Sequence, residues 1–185
     1  MQFEIKNIKI SLKVNEQLLN NVEKKCVIEN LICKRKNNFL IIKDNFIYTL
    51  FLPSKNKTNH VNITKIPNTN SIALATNFLS EKLNLDICEG SWKIDNITAT
   101  LDLGTKISIL KLLNNHSQFH NYWKGTFAFS YCNEKFPGLF IKVKSKEKLG
   151  TIIIFSTGKV VFVGCKSVED IKCLASLICA FTKMK

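Results

Sequence analysis

The sequence predicts an α+β fold in which antiparallel strands and helices recur in two similar halves. Three observations support this prediction. Two runs of β-branched and aromatic residues, Thr151–Phe155 and Val160–Val163, flank a short turn at residues 156–158, which is typical of a β-hairpin. Helical periodicity follows immediately over about residues 167–183. The first half of the chain then shows a weaker copy of the same order of elements.

The C-terminal helix has the clearest signals. Ser167 and Asp170 are spaced as a capping box, with Asp in place of the usual Glu. Apolar residues then recur at helical spacing: Val168, Ile171, Leu174, Ala175, Ile178 and Phe181. A strand over Phe136–Lys144 precedes the hairpin.

The first half has the same plan with one long loop. The pattern predicts, in order, a strand at Phe39–Lys43, a strand at Phe46–Leu52, a polar loop at Pro53–Asn59, a strand at Val61–Ile66 and a helix over about 70–84. Each half also opens alike, at residues 4–10 and 92–100, and a helix-prone stretch follows at about 15–24 and 105–120.

These similarities recur at offsets of about 90–100 residues along the chain. The offset is 89 from Asn7 to Asn96, 97 from Phe39 to Phe136, 104 from Phe51 to Phe155, and 99 from Thr64 to Val163. A drifting offset near 90–100 is expected for two copies with loops of unequal length. The offsets therefore favour an internal duplication.

Composition indicates the class of partner. The 185 residues are 45% hydrophobic and 22% charged, which excludes a disordered chain, and no apolar run is long enough for a membrane span. The first ten residues alternate polar and apolar, so they resemble neither a signal peptide nor a transit peptide. Lys and Arg number 27 against 14 Asp and Glu, so the net charge is +13. This excess predicts polyanion binding, foremost nucleic acid; a basic surface that only maintains solubility is the alternative.

No reactive or metal-binding constellation stands out. The seven cysteines lack C-x-x-C spacing and lie in apolar contexts, which predicts buried, reduced thiols in an intracellular protein: Cys26, Cys33, Cys88, Cys132, Cys165, Cys173 and Cys179. His116 and His120 are four apart but lack an obvious third ligand, so we expect no metal. Paired carboxylates, a nucleophile elbow and a P-loop are absent, so we expect no enzyme, no cofactor and no small-molecule substrate.

One physical feature points to a binding surface. Both faces of Thr151–Phe155 and of Val160–Val163 are apolar, whereas an antiparallel sheet usually shows water one polar face. The few long helices can cover only one face, so the other should be exposed for a partner. A barrel or sandwich that closes on itself is the alternative.

The second half resembles the TATA-box-binding protein family. Residues 136–139 read FPGL, and residues 154–166, IFSTGKVVFVGCK, are similar to that family's I-F-x-S-G-K-V-V-x-T-G-A-K. Residues 116–119 also look like the family's H-Q-Q-F. The match covers about 91–185, whereas the first repeat is recognisable mainly by position. The resemblance therefore implies two repeats, at 1–87 and 88–185, packed as one unit. The resemblance implies a saddle of two pseudo-repeats, with ten strands in one curved antiparallel sheet and four helices on its convex face.

The resemblance also implies which residues contact DNA. Phe136 and Phe155 match one pair of aromatic wedges that enter base steps, and Phe39 and Phe51 match the other; ordinary strand core is the alternative for all four. The asparagines Asn7 and Asn96 match the central pair that bonds base edges. The groove floor would comprise Thr64, Thr98, Ile153, Val161 and Val163, with Lys142, Lys159 and Lys166 near phosphates.

Several positions depart from the family pattern. Lys9 and Asn62 stand where the first repeat should present small apolar residues, and Lys65 replaces a glycine after Thr64. These changes predict weaker DNA binding or an altered sequence preference in the first half. The family's partner-contacting E-x-E-L survives only as Glu134, which puts docking of a partner like transcription factor IIB in question.

Together the sequence predicts a transcription initiation factor that binds the minor groove of A·T-rich double-stranded promoter DNA, bends it and recruits general factors resembling factor IIB. An interaction module of a transcription complex that kept the saddle but lost DNA binding is the alternative. An accessory domain, of the kind that this fold provides inside DNA glycosylases or RNase H-type enzymes, is a third alternative. The expected location is the nucleus, or the host cytoplasm if a large DNA virus with an A·T-rich genome encodes the chain.

Overall fold

The computed structural model describes residues 2–15, 21–51, 59–144 and 148–183. The chain divides into two compact units. The N-terminal unit comprises residues 7–95, and the C-terminal unit comprises residues 96–185 together with residues 1–6. The repeat boundary at 87/88 concerns duplication rather than compactness, and it stays a prediction.

The N-terminal unit holds five antiparallel strands. Its elements are β1 (Glu4–Val14, which begins in the other unit), α1 (Val22–Ile28), β2 (Ile32–Lys36), β3 (Phe39–Lys43), β4 (Ile47–Phe51), β5 (Asn59–Ile66) and α2 (Ser71–Glu81). The strands are hydrogen-bonded in the order β2-β3-β4-β5-β1. The structure contains the strands predicted at 39–43, 46–52 and 61–66 and the helix predicted over 70–84. The observed ends differ from the predicted ones by at most three residues. Residues 52–58, which include most of the predicted loop 53–59, lie outside the described part of the chain. Asn59, predicted in that loop, is instead the first residue of β5, where it pairs with Val14.

The C-terminal unit repeats this arrangement. Its elements are β6 (Lys93–Asp102), α3 (Ile109–Asn114), a 3₁₀ helix (His116–Asn121), β7 (Thr126–Cys132), β8 (Phe136–Lys144), β9 (Lys148–Phe155), β10 (Lys159–Cys165) and α4 (Val168–Thr182). The strand order is β6-β10-β9-β8-β7, with neighbours antiparallel. The Ser167 hydroxyl accepts from the Asp170 amide and the Asp170 carboxylate accepts from the Ser167 amide, so the predicted capping box is present.

The core of each unit lies on one face of its sheet. In the N-terminal unit the buried apolar strand residues are Ile8, Ile10, Leu12, Val14, Leu40, Ile42, Tyr48, Leu50, Val61, Ile63 and Ile66. In the C-terminal unit they are Ile97, Ala99, Leu101, Leu139, Ile141, Val143, Ile152, Ile154, Val160, Phe162 and Cys165. Helix α2 packs on β5, and α4 packs on β9 and β10. Because alternate residues point to opposite faces, the helices cover one face of each sheet and leave the other for solvent or a partner.

The described strands do not close into a barrel in either unit, since the strand order is open at both ends. This result removes the alternative that each sheet seals its own apolar face. The uncovered face that the sequence predicts is therefore present in both units.

The structure contains two strands, β2 and β7, that the residue pattern does not predict. Strand β2 reads ICKRK, in which three consecutive basic residues hide any alternation. Strand β7, TFAFSYC, alternates clearly but lies in the stretch after the inserted His-rich segment. In the first half, the helix expected at about 15–24 begins only at Val22, and residues 16–20 lie outside the described part.

All seven cysteines are free thiols, but they are not all buried. Cys26, Cys165 and Cys179 are buried, and burial is the main reason that the pKa of the Cys26 and Cys165 thiols rises to about 12. Cys132 and Cys173 are exposed, so the prediction of burial is wrong for them. Cys173 lies on the solvent side of α4, next to the buried Leu174, where helical periodicity turns it outward.

The described residues contain neither a membrane-spanning helix nor a cluster of metal ligands. None of their helices combines the length and the hydropathy that a membrane crossing requires. Within the same residues, no three His, Cys, Asp or Glu side chains come together as a metal site would need.

Candidate nucleic-acid interface

Each sheet has a partly exposed face, called here the open face, on the side away from the helices. Residues directly opposite one another in antiparallel strands share a face, so register defines its members. The open face of the N-terminal unit carries Lys9, Ser11, Phe39, Ile41, Ile47, Thr49, Phe51, Asn62 and Thr64. The open face of the C-terminal unit carries Thr98, Thr100, Phe136, Phe140, Lys142, Thr151, Ile153, Phe155, Lys159, Val161 and Val163.

Two pairs of phenylalanines stand on these faces. Phe39 and Phe51 are directly opposite on β3 and β4, with ring centroids 5.9 Å apart. Phe136 and Phe155 come together from β8 and β9, with centroids 5.7 Å apart. Phe51 is 39% exposed and Phe136 is 38% exposed, so neither is ordinary core. Phe39 and Phe155 are half-buried beside their partners.

Gly138 makes room for the Phe136 ring. A Cβ added to Gly138 would lie 2.6 Å from Phe136 Cε1 and 2.9 Å from Ile153 Cγ2. Gly138 is opposite Phe155, so the smallest residue stands between the two rings of this pair. The FPGL motif therefore has a physical reason: its glycine lets the preceding aromatic ring fold back over the strand.

Asn7 and Asn96 occupy equivalent positions beside a β-bulge. The Asn7 Oδ1 atom accepts a hydrogen bond from the Lys65 amide at 2.7 Å, and the Asn96 Oδ1 atom accepts one from the Gly164 amide at 2.6 Å. Both donors have left-handed backbone, φ +65° at Lys65 and +81° at Gly164. The pairing of β1 with β5 and of β6 with β10 shifts register at these points.

This geometry explains why Asn7 lies inside β1 and Asn96 inside β6, although asparagine has a low propensity for β-strands. The side-chain oxygen satisfies an amide that the bulge removes from the ladder. With Oδ1 occupied, the Nδ2 group remains to donate, and in Asn96 it donates to the Thr98 hydroxyl at 3.1 Å. The second hydrogen of the Asn96 Nδ2 group can donate to an acceptor on a ligand.

We expect Asn96→Ala to lower the free energy of unfolding by about 1–2 kcal/mol, because the Gly164 amide loses its acceptor. Urea denaturation followed by circular dichroism measures this loss. Asn115→Ala, outside the open face, is the control and should change stability by less than about 0.5 kcal/mol. Equal stability of the two variants would contradict the structural role assigned to Asn96.

Comparisons with known proteins identify the family. The family model described as "Transcription factor TFIID (or TATA-binding protein, TBP)" matches residues 91–181, about half of the chain. The TBP-related factor of Drosophila melanogaster is 36% identical over 98 residues, which is 52% of this chain and 39% of that protein. The TATA-box-binding protein of Methanothrix thermoacetophila is 33% identical over 84 residues, 45% of this chain and 39% of that protein. The chain belongs to the TATA-binding protein family.

A solved structure extends the likeness to the whole fold. The TBP of Methanococcus jannaschii superposes with a TM-score of 0.70 over 99% of both chains, at 24% sequence identity. The predicted fold class is confirmed: an α+β fold of the TATA-binding protein type with ten antiparallel strands. The chain spans about two fifths of the length of the two curated relatives named above.

The remaining site residues that the family resemblance suggested lie in different places. Lys142 and Lys159 are exposed on the open face of the C-terminal unit, and Thr98, Ile153, Val161 and Val163 are half-buried there. Thr64 is half-buried on the open face of the N-terminal unit, opposite Ile47. Lys166 lies beyond β10, where its amide donates to the Asp170 carboxylate. Glu134 is exposed in the turn between β7 and β8.

Register adds open-face residues that the motifs did not indicate. In the C-terminal unit these are Phe140, whose ring lies 5.1 Å from that of Phe136, and Thr100 opposite Val161. In the N-terminal unit they are Ile41, Ile47 and Thr49. Lys34 and Lys36 of the edge strand β2 are opposite Ile41 and Phe39 and so lie on the same side. The period-two alternation in each strand was the available signal, but pairing was needed to join the strands into one surface.

Proposed function

We propose that the chain is a transcription initiation factor that binds the minor groove of A·T-rich promoter DNA through its open faces and bends it. The observation that carries the proposal is the pair of phenylalanines on each open face, at equivalent positions of the two units. Exposed aromatic rings are costly in water unless a partner covers them. Apolar side chains that enter base steps from the minor groove unstack them and kink the duplex.

The rest of the C-terminal open face suits the same partner. Its centre is Ile153, Val161 and Val163, bordered by Thr98 and Thr100. The minor groove of A·T pairs shows acceptors and no amino donor, so an apolar floor meets it without leaving a donor unpaired. G·C pairs add the guanine 2-amino group, a donor for which the side chains of Ile153, Val161 and Val163 offer no acceptor. The surface therefore favours A·T pairs.

The positive charge of the chain supports a polyanion as its partner. The net charge is +13, and Lys142, Lys159 and Lys166 are all exposed in the C-terminal unit. Phosphate contacts position a protein on DNA, and neutralising them makes affinity depend on salt. We further propose that the exposed Glu134 turn and the helix-bearing side contact other initiation factors, one of them resembling factor IIB.

The experiment titrates an end-labelled duplex with an A·T-rich centre at several salt concentrations, with energy transfer between the labels as the readout for bending. If the three lysines each contact one phosphate, they contribute about −2.7 to the salt slope, roughly a 40-fold loss of affinity between 50 and 200 mM salt. Lys142→Gln should make the slope shallower by about 0.9, whereas Lys172→Gln, on the solvent side of α4, should leave it unchanged. Absence of both bending and salt dependence would refute DNA binding and favour the protein-interaction module.

A further inference from the structure

The N-terminal open face contains a polar cluster of Lys9, Ser11 and Asp95. The Lys9 Nζ atom lies 3.4 Å from Asp95 Oδ2, and the Ser11 hydroxyl donates to Asp95 Oδ1 at 3.1 Å. The Lys9 side chain is 37% exposed and that of Asp95 is 25% exposed. A ligand on this face can therefore reach the cluster.

The cluster lies on the same surface as the phenylalanine pair. Phe51 and Thr49 are two apart on β4, Thr49 is opposite Asn62, and Asn62 is opposite Ser11. Lys9 is two residues before Ser11 and alternates with the buried Ile8 and Ile10. Phe51, Asn62 and the polar cluster thus belong to one continuous face.

The equivalent positions of the C-terminal unit carry no carboxylate, since at an offset of 89 Asp95 corresponds to Lys6, which belongs to that unit. At an offset of 89, Lys9 and Ser11 correspond to Thr98 and Thr100, and at an offset of 99, Asn62 corresponds to Val161. Thr98, Thr100 and Val161 thus offer methyl groups and hydroxyls where Lys9, Ser11 and Asn62 offer an ammonium, a hydroxyl and an amide, and the charged side chains of the C-terminal open face, Lys142, Lys159 and Asp102, stand at other positions. The two faces therefore present different groups to the base edges.

The Asp95 carboxylate supplies hydrogen-bond acceptors that can bind a donor on a base. Its two oxygens have about four acceptor sites, and Ser11 and Lys9 occupy two of them. Guanine presents its 2-amino group as a donor in the minor groove, and no other base presents a donor there. The nearby Lys9 ammonium neutralises the carboxylate, which reduces its repulsion from phosphates.

We propose that Asp95, held by Lys9 and Ser11, accepts the guanine 2-amino group, so that the N-terminal open face tolerates G·C pairs which the C-terminal open face rejects. This inference rests on the proposed minor-groove binding and assigns it a base preference. It predicts that the chain binds an asymmetric site, A·T in one half and G·C-containing in the other. A pseudo-symmetric protein would thereby acquire a fixed orientation on its promoter.

The test measures affinity for three duplexes, with G·C pairs in neither half, one half or both halves of an A·T-rich site. Because the chain can bind in either orientation, G·C in one half should cost less than about threefold, and G·C in both halves more than about tenfold. Inosine·cytosine duplexes lack the 2-amino group and keep the major-groove pattern of G·C. They should bind equally well in all three designs.

The variant Lys9→Val/Asp95→Val replaces the cluster by apolar side chains without leaving a lone charge. It should bind the all-A·T duplex at least as well as the natural chain and lose about tenfold when G·C is in one half. Glu29→Val/Lys82→Val, which removes another ion pair, of 3.0 Å between α1 and the end of α2, is the matched control. The control should keep the natural pattern.

The outcomes separate the two proposals. If the chain binds none of the duplexes, minor-groove binding itself is refuted. If it binds the all-A·T duplex tightly but loses about tenfold for G·C in one half, the role of Asp95 is refuted and minor-groove binding stands. If the double variant keeps the tolerance of the natural chain, the cluster is structural and the inference is wrong.

Discussion

Replacing Phe136 and Phe155 together by alanine is expected to abolish the kink at one end of the bound duplex and to lower affinity about 100-fold. A bend at one end only should remain, from Phe39 and Phe51. A 100-fold loss corresponds to about 2.7 kcal/mol, which is the range of an aromatic hot spot at a binding interface. The measurement is energy transfer between labels on the two ends of the duplex, with affinity taken from the same titration.

The stability of the free protein should change much less than its affinity for DNA. Phe136 is 38% exposed and its ring rests against Phe140 and Phe155 rather than in the helix-covered core. Truncation of the pair should therefore lower the free energy of unfolding by less than the removal of two fully buried phenylalanines, each of which costs about 3–5 kcal/mol. This separation of binding from stability distinguishes wedges from structural phenylalanines.

Tyr122→Ala is the matched control, since Tyr122 is an aromatic residue, 44% exposed, that lies outside the open face. It should leave both affinity and bend angle unchanged. If the phenylalanine double variant unfolds at much lower urea while its remaining folded fraction bends DNA normally, the rings are core residues and the wedge assignment is wrong. The matching variant Phe39→Ala/Phe51→Ala should remove the other kink.

Local sequence patterns predict most of the helices and strands. Particular elements show why this prediction succeeds or fails. Strand β8 lies at the predicted residues 136–144, since the alternating β-branched Ile141 and Val143 favour a strand. Helix α4 begins where Ser167 and Asp170 predicted, because capping is a local interaction. Strand β2 was missed, since a basic edge strand is held by its pairing with β3 and not by its own apolar pattern.

The candidate site was predictable only in part, because it depends on pairs that are distant in sequence. Motif similarity placed Phe136 and Phe155 together, and register then confirmed that they share a face. Asn7 and Asn96 were singled out as base contacts, but no sequence pattern showed that each oxygen accepts from a bulge amide, 58 and 68 residues away. The partnership of Lys9 with Asp95 was equally invisible, since 86 residues separate them.

Gly158→Ala is expected to lower the free energy of unfolding by about 3 kcal/mol or more, through two effects that add. Gly158 has φ +89°, and left-handed backbone costs a residue with a Cβ about 1–2 kcal/mol. An added Cβ would also lie 2.0 Å from the Thr105 carbonyl oxygen, far inside contact distance. Since the obstructing atom belongs to the backbone, no side-chain rotation can relieve the overlap.

The segment around Thr105 cannot withdraw without further loss. The Leu103 amide donates to the Gly158 carbonyl at 3.0 Å, and the Ile107 amide donates to the Ser156 carbonyl at 2.9 Å. Moving residues 103–107 away from the turn would break these bonds, and each is worth about 1 kcal/mol. The turn also connects Phe155 with Lys159, so the same substitution should weaken DNA binding by displacing two proposed contacts.

Gly104→Ala separates the two effects, because Gly104 has a similar φ of +68° but no atom within 4 Å of an added Cβ. It should cost only about 1 kcal/mol, the price of left-handed backbone alone. Urea denaturation monitored by tryptophan fluorescence compares the two variants, and the difference between them measures the clash with Thr105. If both variants lose the same stability, the turn is not held against residues 103–107, and Phe155 and Lys159 then owe their positions on the open face to strand pairing alone.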